Sequence, residues 1–191
     1  MNRLAWTATA LTFVLAGCGS PETADEAAAT PPAAPATEAP AADAGATTRA
    51  VAMLRTATGE PAGTATASAA DGQTMITLNV EGLPPGQHGV HVHMTGRCDP
   101  PTFESAGGHW NPAGAQHGLE NPQGQHAGDM PNLTVGADGR GALEHRLEGA
   151  FDGLLDADGS AFVVHASADD QRTDPSGDSG DRIACGLFER S

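Results

Sequence analysis

Three imidazoles and one carboxylate, His109, His117, His126 and Asp129, fall within 21 residues. The surrounding stretch carries no helical or strand period and reads as a loop. A loop without regular backbone pairing needs another source of order. A tetrahedral Zn²⁺ can supply it, because zinc takes nitrogen and oxygen ligands at about 2.0–2.2 Å and has no redox chemistry of its own. Four zinc-type ligands in one loop are specific for such a site. A second group stands apart from the first: His91 and His93, with His165 further along the chain. Side chains at i and i+2 of a strand point to one face, so His91 and His93 can reach a single ion. Taken alone this H-x-H is weak evidence. A lone histidine such as His165, closing the apolar run Ala161-Phe162-Val163-Val164, is more often a satisfied structural residue than a ligand. Taken together, the two groups suggest a two-metal site.

The elements that must position these side chains are strands. Met75 to Val80 alternates apolar and polar residues, the period of a half-buried strand. Further strand candidates are Val51–Thr56, Gly63–Ser68, Gln87–His93, Gly141–Arg146, Ala161–His165 and Ile183–Leu187. Turn signals separate them: Gly59-Glu60-Pro61, Asp71-Gly72, Leu83-Pro84-Pro85-Gly86 and Asp138-Gly139. No amphipathic helix is legible. Short strands with frequent turns predict an all-β antiparallel sandwich or barrel. Two connections break the rhythm, about Met94 to Asn132 and about Ala166 to Asp181. Loops of this length in a compact domain are usually functional or disordered.

Composition sets the outer bounds. The chain has 191 residues, a formal charge of -15 and no lysine. Such acidity argues against nucleic-acid binding. At the N-terminus Arg3 precedes an apolar run from Leu4 to Ala16, too short to span a bilayer and suited to a secretory leader. The run ends in Leu15-Ala16-Gly17-Cys18, which resembles the lipobox of bacterial lipoproteins. The resemblance implies a signal peptide over 1–17, cleavage before Cys18 and lipidation of the Cys18 thiol, so that the protein is exported and anchored to a bacterial membrane, facing the periplasm or the cell exterior. An ordinary signal peptide that happens to hold a cysteine is the alternative. Residues 19–49 are rich in Ala, Pro, Thr and acids and hold no large aliphatic or aromatic residue, so they read as a disordered tether. The folded domain is expected over 50–191. With Cys18 lipidated, Cys98 and Cys185 remain as a candidate disulfide of an exported protein, two free buried thiols being the other reading.

Several segments of the domain resemble one known family in order: Gly89-Val90-His91-Val92-His93, Gly107-Gly108-His109-Trp110-Asn111-Pro112, His126-Ala127-Gly128-Asp129, Val163-Val164-His165 and Arg182-Ile183-Ala184-Cys185-Gly186. They are similar to the motifs of copper/zinc superoxide dismutases over about residues 50–191. The resemblance implies an eight-stranded antiparallel Greek-key barrel or sandwich, immunoglobulin-like, with two long functional loops. It implies one copper held by His91, His93, His109 and His165, and one zinc held by His109, His117, His126 and Asp129. His109 bridges both ions. Arg182 stands at the open face of the copper and, with His109, is a catalytic side chain. Asp169 links the two metals through hydrogen bonds to their ligands, and Cys98–Cys185 is the family's disulfide. The implied reaction converts two superoxide anions and two protons to O₂ and hydrogen peroxide by Cu(II)/Cu(I) cycling, with His109 carrying one of the protons.

Other classes remain to be weighed. An exported copper/zinc-binding protein without catalysis would use the same ligands, but the presence of every copper ligand and of Arg182 favours the enzyme. A zinc hydrolase would need an open zinc position, which Asp129 closes. The domain carries seven arginines against nineteen acids, a formal charge of −12. That field repels an anionic substrate, so a local positive funnel at Arg182 and the metals must outweigh it. The sequence is compatible with a monomer or a homodimer. His88 is expected to be structural and His145 to lie at the surface.

Overall fold

The structure is a computed structural model that describes residues 48–70 and 72–191. The leader, Cys18 and the tether up to residue 47 lie outside the described residues. Among the latter there is no helix long and apolar enough to cross a membrane. Nine strands are formed among the described residues: β1 Arg49–Thr56, β2 Pro61–Ala70, β3 Gln73–Val80, β4 Gly86–His88, β5 Val90–His93, β6 Leu133–Val135, β7 Gly141–Leu147, β8 Ala161–His165 and β9 Arg182–Arg190. Two short 3₁₀ turns, Glu104–Ala106 and Phe151–Leu155, are the only helical elements among the described residues. β1 takes in Arg49, one residue before the expected start of the domain.

Every pairing between these strands is antiparallel. Seven strands run in the order β5-β8-β9-β1-β2-β3-β7, and β4 pairs with β6. β4 and β5 are one run interrupted only at Gly89, so the expected count of eight corresponds to treating 86–93 as a single strand. β6 also lies against the start of β7: a Cβ at Gly141 would stand 2.7 Å from the Thr134 carbonyl oxygen. The sheet therefore curls round to meet itself as a Greek-key β-barrel. The three residues of β6 were not legible as a strand, because so short a stretch shows no period.

β8 explains how the barrel carries a site on its outside. All five of its residues are buried. Phe162 and Val164 point into the main core with Val90, Val92, Leu54, Ile76 and Leu78. Ala161 and Val163 point the other way, into a smaller cluster with Phe103, Ala106 and Cys185. A strand buried on both faces reads as a continuous apolar run rather than an alternating one. On the neighbouring β5, His91 is opposite Val163 and His93 opposite Ala161. The imidazoles thus leave the outer face of the barrel wall, where the two long connections cover them.

Candidate metal centre

The two connections run from Met94 to Asn132 and from Ala166 to Asp181, as the sequence predicts. The first is laid along β5. The Val92 N–H donates to the Gly128 carbonyl, and Trp110 and Met94 donate to Val92 and Gly108. This brings His93 beside His109 and His91 beside Asp129. Gly128 is required there, since a Cβ would fall 2.4 Å from the Val92 carbonyl oxygen. A disulfide joins Cys98 to Cys185 on β9 and ties the same connection to the barrel. The second connection meets the first at Gly118, whose φ of 110° and close approach to the Gln171 carbonyl exclude a side chain.

Four imidazoles converge at one pole. His93 and His165 donate their Nδ1–H groups to the carbonyls of Gly107 at 2.9 Å and Gly180 at 3.0 Å. Those bonds fix the tautomer, so both Nε2 atoms present lone pairs, and they face each other at 3.4 Å. His91 donates Nε2–H to Asp169 at 2.6 Å, which leaves its Nδ1 a buried lone pair without a partner. His109 Nε2 is likewise buried and unpartnered. Four nitrogens whose lone pairs satisfy nothing in the protein, all within 4.8 Å of one another, could hold a metal ion. Imidazole suits copper and zinc alike.

On the other side of His109 lies a second pole. Asp129 Oδ1 is 3.0 Å from Nδ1 of His109, 3.0 Å from Nδ1 of His117 and 3.3 Å from Nδ1 of His126. The Nδ1 atoms of His126 and His109 are 3.3 Å apart. These four contacts are of the length that donors around one zinc ion would show; the donors lying mutually within 4.8 Å on this side are His91, His109, His117 and Asp129, and His126 joins them through its contacts with Asp129 and His109. Three ring nitrogens crowded on one carboxylate oxygen are a coordination shell rather than a hydrogen-bond network. Asp129 Oδ2 accepts from the backbone N–H groups of Gly118 and His126, so the carboxylate cannot turn away. The donor set fits copper at the first pole and zinc at the second. His109 belongs to both.

Electrostatics reflect this crowding. Burial pushes His91 down to about 3 and His165 to about 4, and it drives His93 and His109 down as well. Burial also opposes charge on His117, but hydrogen bonds to Asp129 and Asp169 outweigh it and push the ring up to about 9. Despite their burial, Asp129 and Asp169 are held well below the usual carboxylate range by those histidine contacts.

Asp169 places Oδ2 2.6 Å from His91 Nε2 and Oδ1 3.1 Å from His117 Nε2. Its backbone is clamped by Asn132, which donates to the Asp169 carbonyl at 2.8 Å and accepts its N–H at 2.7 Å. Arg182 is opposite His165 across β8 and β9. Its guanidinium donates to the Phe103 and Gly107 carbonyls, each at 2.7 Å, so Gly107 orients Arg182 and His93 together. Arg182 lines an open cleft of about 590 Å³ with Thr58, Thr102 and Glu104. Arg172 is exposed and paired with Glu120 at 2.6 Å. His88 is buried, each ring nitrogen 2.8 Å from a carbonyl, those of His165 and Pro84. His145 is half-buried rather than at the surface, with Nε2 buried and unpartnered, which nothing nearby explains. Sequence reasoning missed Asn132, the Gly107 carbonyl and Asp174, which accepts the His117 N–H at 2.7 Å. No local pattern marks them.

A family model described as copper/zinc superoxide dismutase (SODC) matches residues 61–188. Superoxide dismutase [Cu-Zn] 2 of Aquifex aeolicus is 42% identical over 139 residues, covering 68% of this chain and 80% of that protein. Among solved structures, a SOD-like protein from Bacillus subtilis has a TM-score of 0.66 at 41% identity, covering 72% of this chain and 96% of that one. The Cu/Zn superoxide dismutase of Brucella abortus has a TM-score of 0.61 at 30% identity, covering 74% and 99%. The chain belongs to the copper/zinc superoxide dismutase family.

Proposed function

We propose that the protein is a superoxide dismutase, with copper held by His91, His93, His109 and His165 and zinc by His109, His117, His126 and Asp129. One observation carries this reading: four imidazole nitrogens turn unpaired lone pairs to a common point beside a fixed guanidinium. The complete copper-pole set and Arg182 favour the enzyme over a copper/zinc-binding protein without turnover.

Copper, when bound, supplies one-electron redox chemistry, which zinc lacks. The chain's own residues do the rest. Arg182 draws the superoxide anion into the cleft, where a low-dielectric wall focuses its field against the acidic surface. Gly107 and Phe103 hold the guanidinium in place. Asp169, Gly107 and Gly180 fix the ring orientations of His91, His93 and His165, as hydrogen-bonded partners of metal ligands do. His109 Nε2 faces the copper pole and carries a proton toward the departing peroxide.

The decisive experiment measures superoxide decay by the chain loaded with copper and zinc against the chain loaded with zinc alone. Fast copper-dependent decay is expected. Stoichiometric copper binding without acceleration would leave a metal-binding protein.

We also propose export, lipidation at Cys18 and a tether over 18–49 that carries the domain away from a bacterial membrane. The supports are the apolar leader and the Leu15-Ala16-Gly17-Cys18 sequence. A mature N-terminal peptide beginning at an acylated Cys18, recovered from membranes and identified by mass, is the expected result. An unmodified Cys18 in a soluble fraction would refute it.

A further inference from the structure

Outside the zinc pole, His109, Trp110 and His126 share a groove of about 520 Å³ with Asp156, Asp158 and Asp174. The groove is lined by three carboxylates and no arginine, and the chain has no lysine to cover them. The acids alone would be a solvated face. What gives them a direction is the floor of the groove. The His126 side chain is only 6% exposed, and its Nε2 lies 3.7 Å from Asp174 Oδ1. His126 Nδ1, on the opposite edge of the same ring, belongs to the zinc pole. The same Asp174 oxygen accepts the backbone N–H of His117.

The exposure of the ligands makes the same point. Of the four zinc-pole side chains His117 is 0% exposed, Asp129 1% and His109 2%, whereas His126, which lines the groove, is 6% exposed. The groove is therefore the side on which solvent comes nearest to the zinc pole.

We propose that this groove is the landing site for the divalent cation that fills the zinc pole: Asp156 and Asp158 attract it from solution, and Asp174 receives it beside the outer edge of His126. Oxygen ligands suit a hydrated divalent ion that has not yet exchanged its water. A single sign of charge in a cleft raises association rates by about 10–10³-fold, an effect that salt removes. The proposal rests on the zinc assignment above but concerns arrival, not residence.

The test uses the full chain stripped of metal and mixed rapidly with Zn²⁺, uptake being followed by competition with a chromophoric chelator. The variants are Asp156→Asn with Asp158→Asn, and separately Asp174→Asn. Melting of the metal-free proteins shows that each variant is folded. The first variant is expected to slow zinc uptake about 3–10-fold at low ionic strength and to flatten its salt dependence, with the release rate unchanged. Asp174→Asn is expected to slow uptake with release little changed, because the amide oxygen of asparagine still accepts the His117 N–H. Unchanged uptake in the Asp156/Asp158 variant would overturn the proposal, and so would a change confined to release. A wild-type chain that takes up no zinc would overturn the zinc assignment itself, which is a different failure.

Discussion

Asp169→Asn should separate the two metals by affinity. Asp169 Oδ1 accepts two hydrogen bonds, from His117 Nε2–H and from the Gln171 N–H at 2.6 Å, whereas Oδ2 accepts one, from His91. An asparagine retains one acceptor oxygen. Placed at the Oδ1 position, that oxygen keeps both His117 and Gln171, so this rotamer wins. The amide nitrogen then sits where Oδ2 was, 2.6 Å from His91 Nε2, and two N–H donors meet head to head. His91 loses its partner in a site with no exposure. A buried donor left unsatisfied costs about 1–3 kcal/mol, and loss of a ligand's hydrogen-bonded partner typically lowers metal affinity about 10–100-fold. Copper affinity should fall by about that factor while zinc affinity falls much less. The loop itself should hold, because Asn132 grips the backbone of residue 169 and not its carboxylate. The assay is chelator competition run separately with Cu²⁺ and Zn²⁺. Equal weakening of both ions, or a larger effect on zinc, would refute the reasoning. Asp169→Ala removes both acceptors and should weaken both poles.

Replacing Cys98 and Cys185 by serine removes a cross-link between residues 87 positions apart. By chain entropy that should cost about 4–5 kcal/mol of a total of about 5–15, read as a lower urea midpoint; an unchanged midpoint would contradict it. Stability of the metal-free protein should be greatest near pH 6.5. Burial holds His91, His93 and His165 below their ordinary value of 6.5, so the stability of their neutral forms is present above that pH and lost as pH falls toward about 3–4. His117 is raised to about 9, so its contribution is full below 6.5 and lost as pH rises through about 9. Urea midpoints should fall on both sides, more steeply on the acid side, and a flat profile would oppose this. Arg182→Ala should lower kcat/KM about tenfold or more at low salt, with Arg182→Lys retaining part of it and the difference shrinking as salt rises.

The residues proposed to hold metal were legible because coordination chemistry is strict about residue type, and the family motifs place each of them in order. Strand positions were legible wherever alternation ran for several residues, as in Met75 to Val80. What was not legible depends on contacts between distant segments. Nothing in the local sequence says that Arg182 falls opposite His165, because a register shift after Val164 sets that pairing. Nor does anything mark Asn132 as the clamp on residue 169, 37 positions away. Backbone groups such as the Gly107 carbonyl carry no residue identity at all. Asp174 was one acid among many in a loop, and only the fold brings it to His117 and His126.

The acidity that looked like an obstacle acts differently on the two charges the site must admit. A formal domain charge of −12 repels superoxide and attracts Zn²⁺, so one approach cannot serve both. The structure offers two openings that share no residue. The cleft with Arg182 sets the guanidinium beside Glu104 and Asp181, and the groove with Asp156, Asp158 and Asp174 contains only acids among its charged side chains, apart from the ligand imidazoles. His109 lies between them, one nitrogen toward each pole. An anion therefore gains only on the Arg182 side, where the guanidinium and the bound metals must outweigh Glu104 and Asp181. A cation gains by reaching the zinc pole through the groove, where the general field and the local carboxylates act in the same direction. On this argument salt should slow both superoxide turnover and zinc uptake, but for opposite electrostatic reasons. Neutralising Asp156 and Asp158 should slow the cation while leaving the anion no slower. If those two substitutions slowed superoxide turnover in the fully loaded protein as much as zinc uptake, the two approaches would not be separate.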